Sequence, residues 1–256
     1  MKIFLELFYQ IITKVYNIFF TYFENKILKK TYLINKKHSF SKFGYHIFTL
    51  KNLPIDYFDF KKVQKVNKYM DKFILSDSDI IKVIKCLFID LKLSKFISSL
   101  TGFNYSIDYF IAYRTHRISN QDLDKGWYAN HWHTDKPFTK NTLKIIIPLK
   151  KIANLNQGGL EILSVEDSII YRKKNIIKKS YKMIGNINDI LVFNPNLCIH
   201  RAGKIKEDYS REQLMFQLNP NKNWCYNLDI KNKQHKPEPK FPFVSYMFDK
   251  KKFYLS

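Results

Sequence analysis

Cysteine is scarce: Cys86, Cys198 and Cys225 are the three in 256 residues, and no Cys-x-x-Cys pair occurs. That excludes a disulfide framework and a zinc knuckle, and makes a reducing cytoplasm the natural compartment. Arginine is scarce too. The net charge is +22, yet of 44 basic residues only Arg114, Arg117, Arg172, Arg201 and Arg211 are arginine. Base edges and phosphate forks are read best by guanidinium groups, so no specific nucleic-acid recognition is expected. Alanine occurs only at 112, 129, 153 and 202, while Phe, Tyr, Ile, Asn and Lys abound. That is the profile of an A/T-rich coding sequence, which raises lysine without selecting a binding surface. Long apolar runs are also missing. In the first 30 residues the longest uncharged stretch is Val15 to Phe23, too short to cross a bilayer. Glu6 interrupts any signal-peptide core, and neither an internal repeat nor a lipidation motif is evident.

What is present is a foldable chain. A hydrophobic content of 45% excludes wholesale disorder, and the length suits one domain with extensions. Lys2, Glu6, Gln10, Lys14, Asn17, Thr21 and Glu24 mark a narrow polar stripe on an amphipathic helix within residues 1–35. Such a helix either packs on the body of the protein or lies on a membrane surface through residues 1–37, where the basic Lys26–Lys37 stretch would assist. The body is expected over 36–220. Short strands and turns fill its start, with helices predicted over Tyr57–Ile74 and Ser78–Leu100. Ser76-Asp77-Ser78-Asp79 supplies the cap of the second, and Thr101-Gly102 ends it. Strand character follows at Tyr109–Arg114, Leu143–Leu149, Ile190–Phe193 and Arg211–Leu218, and residues 221–256 read as an extended arm.

The chemistry concentrates in Asn130-His131-Trp132-His133-Thr134-Asp135. On an extended segment residues two apart share a face, so His133 and Asp135 reach one ion. Composition alone supplies roughly 0.4 His-x-Asp pairs in such a chain, so the pair needs company. It has company in His200, after the strand-like Ile190–Phe193, and in Arg211 beyond it. Two imidazoles and a carboxylate form the facial triad of non-haem Fe(II) with open coordination positions. His131 shares the spacing, so a cupin-like site of His131, His133 and His200 stays open as an alternative. A basic module binding membrane or nucleic acid is the non-enzymatic alternative. Cys198 reads as a small packing residue, and His38, His46, His116 and His235 lack metal-like partners at short spacing.

His133-Thr134-Asp135, His200 and Arg211, in that order, resemble the phytanoyl-CoA dioxygenase-like family of Fe(II)/2-oxoglutarate-dependent oxygenases. Between them lie the apolar run Leu143–Leu149 and Asn156-Gln157-Gly158-Gly159-Leu160-Glu161-Ile162, where the family has strand, turn and strand. The likeness covers roughly residues 90–220 and departs where the family's Pro-Gly-Ser-His turn is replaced by Ser164-Val165-Glu166-Asp167-Ser168. The resemblance implies a mainly β fold with α, a double-stranded β-helix (jelly-roll) core buttressed by N-terminal helices. It implies Fe(II) on His133, Asp135 and His200, and 2-oxoglutarate as co-substrate with O2. Arg211 would hold the far carboxylate, with Lys144 and Arg201 as further candidates. Trp127 and Tyr128, beside the metal stretch, could belong to a substrate lid. Halogenating members replace the carboxylate with a small residue, so Asp135 implies hydroxylation of a small organic or lipid-like substrate, releasing succinate and CO2.

Overall fold

The computed structural model describes residues 2–29, 40–50, 53, 62–119, 122, 128–135, 139–206, 209–227 and 252–255; for 2–10, 13, 41, 128, 227, 252 and 253 it describes the backbone alone. Helix α1 (Lys2–Phe23) runs into a π-turn at Glu24–Leu28, and a short α2 (Phe40–Phe43) precedes β1 (Tyr45–Thr49). A hairpin of β2 (Val63–Asn67) and β3 (Met70–Phe73) leads to α3 (Asp77–Lys85) and α4 (Leu93–Thr101). Then come β4 (Asn104–His116), β5 (Leu143–Pro148), β6 (Glu161–Ile162), α5 (Val165–Lys174), β7 (Tyr181–Lys182), β8 (Asp189–Phe193), β9 (His200–Arg201), β10 (Ser210–Asn221), β11 (Cys225–Asn227) and β12 (Lys252–Tyr254).

The strands form two sheets. The large one has the order β1-β8-β5-β10-β4-β11-β12, with the β2–β3 hairpin on β4, and the small one is β7-β6-β9. Strand alternation gives the large sheet two apolar faces. Ile145 and Ile147 of β5, Ile190 and Val192 of β8, and Leu214, Phe216 and Leu218 of β10 join a cluster with Val83, Ile84, Phe88 and Ile97 from the helices. Phe88 meets Phe216 edge-on at 5.4 Å between ring centroids. The intervening residues Ile146, Leu191, Phe193 and Met215 pack instead with Ile162, Tyr181 and Met183 around the small sheet. The second cluster is the layer between the sheets.

Two helical expectations are corrected. The stretch Tyr57–Ile74 contains no helix over its described part; it carries the β2–β3 hairpin. Asn67 Oδ1 accepts from Tyr69 N at 2.8 Å, a side-chain turn that reverses the chain, and Met70, Asp71 and Lys72 then pair with Thr115, Arg114 and Tyr113 of β4. Sheet pairing outweighs weak helical propensity there. Ser78–Leu100 is two helices. Ser76 caps the first as expected, accepting from Asp79 N at 3.1 Å, but the chain widens into a π-turn at Cys86–Asp90 and breaks at Lys92, in the left-handed region at φ 56°. The break lets Leu87 and Phe88 on one side, and Leu93 and Ile97 on the other, enter the same cluster. A helix was also unforeseen: Ser164, in the divergent turn, accepts from Asp167 N at 3.0 Å and caps α5.

At the N terminus Phe20, Glu24 and Leu28 are buried. Lys140 N donates to Thr21 Oγ1 at 3.0 Å and Asn141 Nδ2 to Glu24 Oε2 at 3.1 Å. One side of the helix therefore packs on the body, as the first of the two expectations had it. The other side exposes Ile11, Val15, Ile18, Phe19 and Tyr22. In the C-terminal region Trp224, Cys225 and Tyr226 are buried and β11 pairs in parallel with β4; the expected arm from 228 to 251 lies outside the described residues.

Candidate metal centre

His133 and His200 are brought together by backbone before their side chains matter. They form an isolated antiparallel bridge, with His133 N on His200 O at 3.0 Å and His200 N on His133 O at 2.9 Å. Bridge partners stand on the same side, and their rings lie 4.4 Å apart between centroids. Asp135, two residues on, is pinned by its N–H on Pro195 O at 2.9 Å. One ligand atom from each of the three residues lies within 4.8 Å of the others. Asp135 Oδ1 is 3.7 Å from His133 Nε2 and 3.8 Å from His200 Nε2.

The hydrogen bonds fix which atoms can coordinate. His133 Nδ1 lies 2.7 Å from His131 O and His200 Nδ1 lies 3.0 Å from Cys198 O. A carbonyl only accepts, so each Nδ1 carries the proton and each Nε2 offers a lone pair toward Asp135. Orientation of a ligand imidazole by a carbonyl on its other nitrogen is the usual support of a metal-binding histidine. Burial pushes His200 down to about 4 and lowers His133 as well, so both rings stay neutral as ligation requires. Burial would raise Asp135, but the Lys144 ammonium and the two imidazoles outweigh it and hold the carboxylate ionised, below its usual range. Lys144 Nζ contacts Oδ2, leaving Oδ1 for an ion. Phe193 covers His200 edge-on at 5.0 Å. The donor set, its protonation and its orientation all fit a divalent transition metal.

His131 is corrected: it is exposed and outside the ligand cluster. The chain bends at 131–132 after a 3-10 turn at Tyr128–Asn130, so the two-residue period of a strand does not extend back to it. The set His131, His133, His200 is not assembled. Arg211 is 4% exposed. It shares the alternation of Gln213 and Met215 on β10, and its Nη1 donates to Gly158 O. No carboxylate pairs with it among the described residues, its Nε has no acceptor, and burial lowers its pKa. Lys144 is placed on Asp135 rather than on any pocket for an anion. Arg201 stacks over Trp132 at 4.5 Å and donates to Glu161 at 2.9 Å. Cys198 is buried against Phe43 O at 3.4 Å, its thiol pushed up to about 12 by burial. Trp127 lies outside the described residues, and Tyr128 is described by its backbone alone. Gln213, which donates to the Tyr113 hydroxyl, was missed by sequence reasoning; its place two residues after Arg211 on a strand is the signal that would have found it.

No family model matches the chain, and no curated protein matches it. Solved structures do match. The non-haem α-ketoglutarate-dependent epimerase SnoN from nogalamycin biosynthesis is 12% identical, with 71% of this chain and 79% of that chain covered and a TM-score of 0.52. SnoN in complex with Fe3+, α-ketoglutarate and nogalamycin RO gives 11%, 71%, 80% and 0.51. HygX from Streptomyces hygroscopicus with nickel and 2-oxoglutarate bound gives 11%, 74%, 87% and 0.49. The likeness to SnoN establishes the fold alone: mainly antiparallel β, a double-stranded β-helix with helices against it, as the sequence resemblance implied.

Proposed function

We propose that this protein is a non-haem Fe(II)/2-oxoglutarate-dependent oxygenase that hydroxylates a small organic substrate, with release of succinate and CO2. The observation that carries the reading is the cluster of His133, Asp135 and His200 in a fold shared with SnoN. His133 Nε2, Asp135 Oδ1 and His200 Nε2 would hold the ion. Fe(II) held there would supply O2 activation for oxidation of a substrate C–H bond, with 2-oxoglutarate as the co-substrate. The chain's own residues prepare the place. The carbonyls of residues 131 and 198 orient the rings, Lys144 fixes the carboxylate, and Phe193 keeps water from His200. Arg211 supplies a buried guanidinium without a counter-ion among the described residues, the group that the far carboxylate of 2-oxoglutarate needs.

Anaerobic titration of the metal-free protein with Fe(II) and then 2-oxoglutarate tests this. The expected result is a visible charge-transfer band that is absent in His133→Ala and needs about 10–100-fold more 2-oxoglutarate in Arg211→Ala, the loss of 1.5–3 kcal/mol for hydrogen bonds to a charged group. Iron binding with no band on adding 2-oxoglutarate would overturn it.

We also infer that the protein touches a membrane surface from the cytoplasmic side. Ile11, Val15, Ile18, Phe19 and Tyr22 are 54%, 62%, 65%, 59% and 63% exposed and recur at helical spacing. Lys14, Lys26 and Lys29 are exposed beside them and would meet anionic headgroups. No helix among the described residues is long and apolar enough to cross a membrane. Sedimentation with phosphatidylserine-containing vesicles is expected for the parent and not for V15E/F19E; equal sedimentation of both would remove the assignment.

A further inference from the structure

A cavity of about 720 Å³ opens at the end of the small sheet, where β6 begins and β9 ends. Six of its lining residues are basic: Arg117, Lys182, Arg201, Lys204, Lys206 and Arg211. Among the described lining residues Glu161 is the sole acid, and Arg201 holds its carboxylate at 2.9 Å. The neighbouring His116 is paired with Asp71 at 2.6 Å. The cavity lining therefore carries a local excess of positive charge.

A second observation is independent of charge. Four buried side-chain polar atoms lack a hydrogen-bond partner among the described residues, and three of them, Asn130 Nδ2, Arg201 Nε and Arg211 Nε, belong to this cavity's lining. All three are donors. A buried donor without an acceptor costs about 1–3 kcal/mol; Arg211 has the co-substrate as its partner in the proposed function, and Asn130 and Arg201 together call for a further ligand rich in acceptor oxygens. Arg201 is already oriented, its plane resting on Trp132. Backbone approaches closely beneath: a Cβ on Gly203 would stand 2.2 Å from Gly159 O.

We propose that this cavity is a binding site for a phosphorylated small molecule, its phosphate held by Arg201, Asn130 and the rim lysines Lys204 and Lys206. Arg211, at the buried end, is left to the co-substrate. One carboxylate would satisfy one guanidinium, whereas several point-charge lysines around an arginine suit the oxygens of a phosphate. Ile118, Leu155 and Ile205 offer apolar wall for the organic body. The phosphate-binding residues stand apart from the metal ligands, while Arg211, in the same cavity, belongs to the co-substrate. Strand register pairs Glu161 with Arg201 and Ile162 with His200, so the anion-binding residues and the metal ligand stand on opposite faces of the same two strands. The role left to Arg211 rests on the proposed function; the phosphate contacts of Arg201, Asn130, Lys204 and Lys206 do not.

The test is calorimetric titration of the full, metal-free chain with inorganic pyrophosphate at physiological salt, where non-specific attraction is screened. Binding is expected to weaken at least about tenfold in K204A/K206A and in Arg201→Gln. The charge-matched control K173A/K174A, on the exposed end of α5, is expected to bind as the parent does. Equal loss in both double variants, loss in neither, or no binding to the parent would overturn the site. Vesicle binding abolished by K204A/K206A would move the phosphate to a lipid headgroup and overturn the small-molecule assignment.

Discussion

The two faces of the small sheet carry opposite electrostatics on adjacent residues. Ile162 and His200 face the layer between the sheets, where burial keeps an imidazole neutral and bare at Nε2. Glu161 and Arg201, their immediate neighbours, face a cavity crowded with cations. Alternation along strands of two residues each separates a place that suits a metal from one that suits an anion. What differs is solvent access and partner charge. The inner face compensates one carboxylate with one lysine and two neutral rings; the outer face sets six basic residues against one acid among the described lining residues.

Substitutions on either side should break one half and spare the other. The largest effect is expected on the inner face, where Ile162 is 0% exposed. Ile162→Ala should cost about 2–5 kcal/mol of stability, read by urea denaturation. His200→Ala should weaken metal binding by more than about 100-fold, since even loss of a supporting hydrogen bond costs 10–100-fold. Pyrophosphate binding measured on that same variant should stay at the parent's level, and a parallel loss would mean that the two faces are one site. Glu161→Gln sharpens the contrast from the other side: removing the sole described acid of the cavity should tighten pyrophosphate a few-fold and leave the metal titration alone.

The smallest effect concerns the docking of α1. Burial raises Glu24 from 4.5 to about 7, against hydrogen bonds from Thr139 and Asn141. A folded pKa above the unfolded one means that stability is fully present below pH 4.5 and declines as pH rises toward 7. The decline should amount to about 2–3 kcal/mol at most. Glu24→Gln should flatten it, so that Tm values at pH 5 and pH 8 differ less in the variant than in the parent. An unchanged pH profile would place the titrating group elsewhere.

The sequence was legible where local rules meet no competitor. The apolar run Leu143–Leu149 and the strand expected over Arg211–Leu218 appear as β5 and within β10, and Ser76 caps its helix as its spacing requires. It misled where tertiary pairing prevailed. Val63–Phe73 has no strong propensity of its own, and the edge of β4 draws it into a hairpin. Lys92 breaks a helix whose apolar periodicity runs on, because both halves must reach one core. His131 looked equivalent to His133 only so long as the segment was assumed extended.

By itself the sequence determined the order His133, Asp135, His200, Arg211 and the strand-like segments around it. Strand geometry is local, and a two-residue period survives in any extended chain. Only the tertiary structure decided that His133 and His200 bridge, that Lys144 lies on Asp135, and that Arg201 turns from the metal site toward Asn130 and the lysines. Those relations join residues far apart in the chain, and which of them meet depends on sheet pairing and register rather than on spacing along the sequence.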